Sequence, residues 1–146
     1  MVPPSNTVTD VDELLFRQVH PSWIREGRVT SQAFRPMPKD EGLLSVDRGS
    51  MTTAEGSFRL FTGAMHLQSA GTWGVTVGEC LAQTLTVLED PLSSPPEPVA
   101  NVAHALVCYT SVSSKSQLEA KGQKLARCAN DRGRLFPPAI RGEEMR

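Results

Sequence analysis

The chain lacks most of the features that reveal a function directly. Its 146 residues include three widely spaced cysteines and no Cys-x-x-Cys pair, so neither a zinc ribbon nor a redox dithiol is indicated. No G-x-G-x-x-G segment and no P-loop occurs, which argues against an ordinary nucleotide or dinucleotide site. The one Tyr and two Trp lie outside the basic C-terminal segment, so a stacking platform for single-stranded nucleic acid is not predicted.

Long apolar runs are also missing. None approaches the ~18 residues that a membrane helix needs, and residues 1–6 lack the basic and apolar regions of a secretory signal. The cysteines are typical of buried thiols in a reducing compartment. We therefore expect a cytoplasmic protein that does not enter a membrane, and the sequence predicts no cofactor.

Charge is unevenly distributed along the chain. Residues 1–114 carry seven basic and twelve acidic side chains, a net of −5, whereas residues 115–146 carry eight basic and four acidic ones, a net of +4. A basic C-terminal segment can contact phosphates and release their counterions. The same residues also fit the solvent face of a last helix, because its dipole favours cations near the C-terminus.

Short apolar segments separated by turns dominate the chain, and its eleven Gly and eleven Pro favour a loop-rich fold over a helical bundle. Residues 1–12 are polar and read as a loose leader. Alternating or continuous apolar residues predict strands at Leu14–His20, Val29–Phe34, Leu43–Val46, Thr72–Val77, Leu85–Leu88 and Ala103–Tyr109. The last of these is the most continuous apolar run and the best candidate for a central strand.

Two principal helices are predicted. Thr52 and Glu55 fit a capping box, followed by a helix to about Leu67. Residues 113–131 form the clearest helix, with an apolar stripe and a terminating Gly133, and a short helix is expected at Gly78–Gln83. The fold class is therefore α+β, a mainly antiparallel sheet of about five short strands with two principal helices. We expect residues 13–136 to form a single domain and residues 137–146 a frayed tail.

His20 and Arg17 are the first candidate functional residues. His20 ends a predicted strand before Pro21, and a histidine there suits acid–base work or hydrogen bonding to a ligand. It equally suits a bond to a backbone group at a strand–turn junction. Arg17 can bind an anion or pair with Asp12 or Glu13, and the pairing is the favoured interpretation. Strand alternation places it on the opposite sheet face from His20.

His104 and Glu79 extend this set. His104 begins the predicted central strand, and Glu79 follows the strand that ends at Val77. If His20, Glu79 and His104 converge, two imidazoles and one carboxylate offer a metal site. Glu79 at a helix N-terminus is also explained by the helix dipole, and no metal is predicted.

Ser31 and Ser45 supply hydroxyl groups near the same strand ends. Neither lies in a G-x-S-x-G elbow or an S-x-x-K pair, so the motifs of serine hydrolases are absent. Both remain candidate ligand-binding residues.

Several segments resemble a pattern found in short bacterial proteins of unknown function. They are Leu15-Phe-Arg-Gln-Val-His-Pro21, Ser31-Gln-Ala-Phe-Arg-Pro36, Leu44-Ser-Val46, Thr53-Ala-Glu55, Val75-Thr-Val-Gly-Glu-Cys80, Asn101-Val-Ala-His-Ala-Leu-Val107 and the run from Leu125 to Gly133. This resemblance covers most of the chain and implies no activity. The order of Arg17 or His20, Ser45 and Glu55 is also similar to RES-type ADP-ribosyltransferase-like toxins, although Ser45 lacks the aromatic neighbour and Glu55 comes early. That similarity implies chemistry on NAD.

Three functions follow as expectations. The first is a small binding module for a protein partner or a small-molecule ligand, since no complete catalytic motif is present. The second is an enzyme centred on His20 that acts on a nucleotide or NAD, with Arg17, Ser45 or Glu79 assisting. The third is weak nucleic-acid binding through the basic C-terminal helix.

Overall fold

The fold is a five-stranded antiparallel sheet with helices on its two faces. The computed structural model describes residues 6–138. The strands of the sheet are β1 (Leu14–Gln18), β4 (Leu43–Arg48), β5 (Thr72–Thr76), β6 (Thr86–Glu89) and β7 (His104–Cys108), in the order β5-β1-β4-β7-β6. A separate hairpin joins β2 (Ile24–Arg25) to β3 (Arg28–Val29). The predicted α+β class with a mainly antiparallel sheet is confirmed.

Within residues 6–138, three α-helices accompany the sheet: α1 (Ala54–Arg59), α2 (Val77–Ala82) and α3 (Lys115–Arg132). The long α3 begins after Ser114, whose hydroxyl accepts a bond from the Gln117 N–H, and ends at Gly133 with φ of 87°. A side chain at that φ would be strained, which is why glycine suits this position. Among the described residues, no helix is long and apolar enough to cross a membrane.

One face of the sheet carries the main core. Alternate residues of the strands, such as Leu15, Leu44, Val75 and Val107, are at most 1% exposed there. The buried stripe of α3 joins the same core and includes Gly122, Leu125, Ala126 and Ala129. Gly122 lets the helix approach closely, because a Cβ at this position would lie 2.9 Å from the Ser31 carbonyl oxygen.

The prediction of a strand over Val29–Phe34 is wrong except at Val29. Residues Ser31–Phe34 form a 3₁₀ turn, in which the Ala33 N–H donates to the Thr30 carbonyl at 3.1 Å. Phe34 is fully buried beneath α3, and the Thr30 hydroxyl donates to the Trp23 carbonyl at 2.7 Å. Tertiary packing therefore overrides the strand preference of these residues.

The predicted helix from Thr52 to Leu67 is also shorter than expected. Its N-cap is Thr53, whose hydroxyl accepts from the Gly56 N–H at 2.9 Å, and Glu55 pairs with Arg59 instead of closing a capping box. The α-helix ends at Arg59 and continues as a wider π-helical turn over Leu60–Ala64.

Part of the predicted leader lies against the sheet. The Val8 N–H donates to the Val87 carbonyl and the Glu89 N–H to the Asn6 carbonyl, both at 2.8 Å, and Val8 is buried. Residues 1–5, and residues 139–146 of the predicted tail, lie outside the described residues.

Candidate functional site

A cleft opens on the sheet face opposite the main core. The register pairs Phe16 with Asp47 and Asp47 with His104, so these three side chains and Ser45 share that face. The cleft has a volume of about 290 Å³. Its apolar walls come from the sheet, the α1 segment and the loop after β6, namely Phe16, Val46, Leu60, Phe61, Met65, Leu67, Leu92 and Val99.

A hydrogen-bonded series of Ser45, His104 and Asp90 lies at this cleft. The Ser45 hydroxyl oxygen is 3.1 Å from His104 Nε2, and His104 Nδ1 is 3.1 Å from a carboxylate oxygen of Asp90. Nδ1 is also 3.1 Å from the backbone carbonyl oxygen of Asp90. A carbonyl can only accept, so Nδ1 carries the proton and Nε2 is left to accept from the Ser45 hydroxyl. This is the arrangement of a nucleophile, a general base and an orienting carboxylate.

Strand pairing brings these three residues together. Strands β4 and β7 are antiparallel, and Ser45 lies opposite Leu106. The Ser45 side chain is therefore on the same sheet face as His104, which is two residues before Leu106 along β7. β6 pairs Glu89 with Ala105, and the ladder continues as the Asp90 N–H donates to the His104 carbonyl at 2.9 Å. Ser45 is exposed, whereas the His104 side chain is 14% exposed. The Ser45 hydroxyl is therefore accessible to a ligand, while the His104 imidazole is largely buried and is held in place by Asp90.

A second polar network supports one side of the cleft. The two carboxylate oxygens of Asp47 accept from the Asn101 amide at 2.8 Å and the Ser57 hydroxyl at 2.7 Å. Gln18 continues the network, donating to Ser57 at 2.9 Å and to Thr72 at 2.8 Å. Asn101 also accepts from the Ala103 N–H through its side chain. The network fixes β4, α1 and the start of β7 around the cleft.

Arg17 lies where β1 and β4 part and borders the cleft, but strand alternation puts its side chain on the same sheet face as Leu15. Its Nε donates to the Ala33 carbonyl at 2.7 Å and one terminal nitrogen donates to the Ser45 carbonyl at 3.0 Å. The guanidinium carbon is 5.3 Å from the centre of the Trp23 ring. Burial lowers the pKa of Arg17 to about 10. The favoured pairing with Asp12 or Glu13 is wrong, because the Glu13 carboxylate binds Arg48 instead.

Three predicted residues lie elsewhere. His20 caps the 3₁₀ turn Pro21–Trp23 and accepts from the Ser22 N–H at 3.1 Å. Glu79 closes a capping box with Thr76 and pairs with Arg132 at 3.0 Å, while Ser31 begins the turn beneath α3. The structure thus brings Ser45 and His104 to one cleft, with Arg17 at its border, and leaves His20, Glu79 and Ser31 outside it. An enzyme centred on His20 stays a prediction.

The three residues suggested as metal ligands each bind different partners. His20 bonds Ser22, Glu79 bonds Arg132, and His104 bonds Asp90 and Ser45. Within residues 6–138, no group of three or more His, Cys, Asp or Glu side chains is placed to hold a metal ion. Within the described residues, the cleft presents the Ser45 hydroxyl and the His104 imidazole.

Two functional candidates escaped sequence reasoning. Asp90 stood in a Pro-rich acidic loop and Asn101 in the approach to β7, so neither carried a motif. The signal for Asp90 was its place just after β6, since pairing the segments at Leu85–Leu88 and Ala103–Tyr109 as antiparallel neighbours sets it beside His104.

Basic residues of the C-terminal segment are partly engaged within the fold. Lys121 donates to the Gln83 carbonyl at 2.6 Å, and Arg132 pairs with Glu79. Arg134 donates to the Pro137 carbonyl at 2.6 Å.

Comparison with known proteins supplies no further assignment, since no family model, no curated protein and no solved structure matches the chain.

Proposed function

We propose that this protein is a serine hydrolase that cleaves small carboxylic esters or thioesters, with Ser45 as the nucleophile. The observation that carries the proposal is the Ser45–His104–Asp90 series at the apolar cleft. Both distances, 3.1 Å, lie within the range in which a side chain can take a proton from a nucleophile. Each imidazole nitrogen has the partner that this chemistry needs, Ser45 for Nε2 and Asp90 for Nδ1. An accidental Ser–His contact would not need the second partner.

The chemistry follows the acyl-transfer sequence. The Ser45 oxygen attacks the ester carbonyl carbon while its proton passes to His104 Nε2, and Asp90 stabilises the resulting imidazolium. The tetrahedral intermediate collapses, the leaving oxygen or sulfur takes the proton from Nε2, and an acyl-Ser45 remains. Water then attacks the acyl carbon and gives its proton to Nε2. Release of the carboxylic acid returns the proton to the Ser45 oxygen.

Apolar walls favour an acyl group without bulky polar substituents. Phe16, Leu60 and Phe61 supply aromatic and aliphatic surface in the cleft that holds Ser45, and apolar lining with a few polar groups is typical of small-molecule sites. The volume of about 290 Å³ lies near the lower end for ligand pockets, which favours short acyl chains.

A fluorophosphonate probe tests the nucleophile directly. We expect mass spectrometry to locate the probe on Ser45 and p-nitrophenyl butyrate to be hydrolysed. Ser45→Ala and His104→Ala should each lower kcat by about 10³-fold or more. Ser22→Ala is the matched control, because Ser22 also lies 2.8 Å from a histidine nitrogen but without an acid beyond it. Failure to label Ser45 in the folded wild type, or equal labelling of Ser22, would overturn the proposal.

A binding role without chemistry is the second candidate. It is favoured by Met65 and Leu67 at the cleft, which are 40% and 46% exposed, because exposed apolar side chains beside a cleft suit a ligand or a protein partner. Its test is the same probe together with a ligand screen. Saturable binding of a short fatty acid at the cleft, with no labelling and no ester hydrolysis, would favour this role over the hydrolase.

A further inference from the structure

A groove separate from the cleft runs between α3 and the chain that leaves the β2–β3 hairpin. Its volume is about 470 Å³, which is within the range of small-molecule sites. Residues 28–31 form one wall of it. The other wall is a single face of α3, whose members are three and four residues apart, namely Gln123, Ala126, Arg127 and Asn130. We call this feature the α3 groove.

The floor and walls of the α3 groove are fixed by contacts within the fold. Val29 and Ala126 are only 4% and 3% exposed. The Asn130 side chain accepts from the Val29 N–H and donates to the Val29 carbonyl, both at 2.9 Å, which ties α3 to the edge of β3. Gly122 lets α3 approach the Ser31 carbonyl closely. The groove therefore exists before any ligand binds.

Two arginines without partners stand at this groove. Arg28 and Arg127 are the neighbours of the buried residues Val29 and Ala126, and both are exposed. Neither forms a hydrogen bond or an ion pair within residues 6–138. Four other arginines of this part of the chain bind a carboxylate, namely Arg35, Arg48, Arg59 and Arg132. The guanidinium groups of Arg28 and Arg127 therefore keep their donors free.

The positive charge at the groove is not compensated. The register of the hairpin sets Arg25 directly opposite Arg28, and like charges in that position repel each other. Among the described residues, no carboxylate lines the groove. The acids nearest along the chain are Glu26 and Asp131, and neither forms an ion pair in the described part of it. An anion bound between Arg28 and Arg127 would offset the repulsion.

Uncharged groups add to the donors of the groove. Ser31, a ligand-binding candidate from the sequence, lines the groove, and its hydroxyl has no hydrogen-bond partner within residues 6–138 and is not enclosed. Gln123 is exposed and supplies an amide. No aromatic side chain of the described residues lines the groove, so nucleic-acid bases would have no surface on which to stack.

We propose that the α3 groove binds the phosphate group of a small organic phosphate, with Arg28 and Arg127 as its cationic ligands and Ser31 as a hydrogen-bond donor. A guanidinium suits phosphate because its planar N–H donors match two oxygens at once. The volume leaves room for a small organic part beside the phosphate. The groove lies beside α3, which packs on the main core, whereas the Ser45 cleft opens on the opposite sheet face. The proposal is therefore independent of the hydrolase.

Calorimetric titration of the wild-type protein with glycerol 3-phosphate, inorganic phosphate and glycerol tests the site. We expect both phosphates to bind at one site and glycerol not to bind. Arg28→Gln and Arg127→Gln should each lower the affinity for glycerol 3-phosphate about tenfold or more, because each removes charge-assisted hydrogen bonds. Ser31→Ala should have a smaller effect. Both arginines are exposed, so the melting temperatures of their variants should match that of the wild type.

Lys124→Gln is the matched control for the loss of one positive charge. Lys124 is exposed on α3 and forms no hydrogen bond or ion pair within residues 6–138, but it does not line the groove. We expect this variant to bind glycerol 3-phosphate nearly as well as the wild type. An equal loss of affinity in Lys124→Gln would overturn the proposal, because it would show a general attraction to the basic helix instead of a defined site.

A thymidine oligonucleotide separates a small phosphate from a nucleic-acid backbone. We expect it to bind more weakly than glycerol 3-phosphate at physiological salt, because the groove offers no stacking surface in the described residues. Tighter binding of the oligonucleotide would assign this surface to nucleic acid and overturn the small-phosphate site. The absence of binding by both glycerol 3-phosphate and inorganic phosphate would overturn it as well.

Discussion

Replacing Asp90 by Asn should cost this site less than the same change costs other Ser–His–Asp sites. His104 Nδ1 has two acceptors on Asp90, a carboxylate oxygen and the backbone carbonyl oxygen, both at 3.1 Å. The substitution removes the charge but leaves the carbonyl in place. The carbonyl alone keeps the proton on Nδ1, so Nε2 can still accept from Ser45.

The magnitude follows from what is lost. Where the carboxylate alone fixes the tautomer, an Asp-to-Asn change lowers kcat by about 10⁴-fold. Here the loss is one charge-assisted hydrogen bond to the imidazolium, about 1.5–3 kcal/mol. That energy corresponds to roughly a 10- to 100-fold decrease in kcat.

The assay is hydrolysis of p-nitrophenyl butyrate by wild type, Asp90→Asn and Ser45→Ala. The Asp90 side chain is 45% exposed, so the melting temperature of Asp90→Asn should stay close to that of the wild type, which serves as the folding control. A decrease as large as that of Ser45→Ala, in a protein with unchanged stability, would refute the reasoning, because the backbone carbonyl would then fail to hold the tautomer.

Three further predictions concern stability. Leu125→Ala removes a side chain that is 1% exposed, and urea unfolding should show a loss of about 2–5 kcal/mol; a loss below 1 kcal/mol would mean that α3 is not anchored there. Tyr109→Phe deletes the buried hydroxyl that donates to the Phe34 carbonyl and should cost about 1–3 kcal/mol in the same experiment, whereas an unchanged midpoint would argue against that bond. Burial opposes ionisation of Glu79, but the bonds from Arg132 and Thr76 outweigh it and hold its pKa below 4.5. Its stabilisation is therefore present above 4.5 and lost as pH falls through the lowered value, so thermal melts of Glu79→Gln should approach those of the wild type in acid, and a constant difference across pH would contradict this.

Local patterns in the sequence were sufficient for most of the secondary structure. The apolar stripe and the glycine after it defined α3 closely, because a periodicity of 3.6 over eighteen residues is a strong signal. The continuous apolar run at Ala103–Tyr109 likewise predicted an interior strand, and β7 pairs with β4 on one side and with β6 on the other. The Ser31–Phe34 turn was missed because its conformation depends on burial beneath α3, which no local pattern encodes.

The candidate site depended on contacts between distant parts of the chain. Ser45 and His104 were each identified by residue type and position at a strand, but their convergence needed the order of the strands in the sheet. Asp90 was not identified, because a carboxylate in a Pro-rich loop becomes significant only when the β6–β7 register sets it beside an imidazole.

The sequence by itself determined the α+β class, the long C-terminal helix and the residue types available for chemistry. It could do so because hydrophobic periodicity and capping act over a few residues. Only the tertiary structure decided that Ser45, His104 and Asp90 form one hydrogen-bonded series and that Arg17 donates to the Ala33 and Ser45 carbonyls. Strand register and burial are set by the whole chain, and a one-residue change of register would turn Ser45 away from His104.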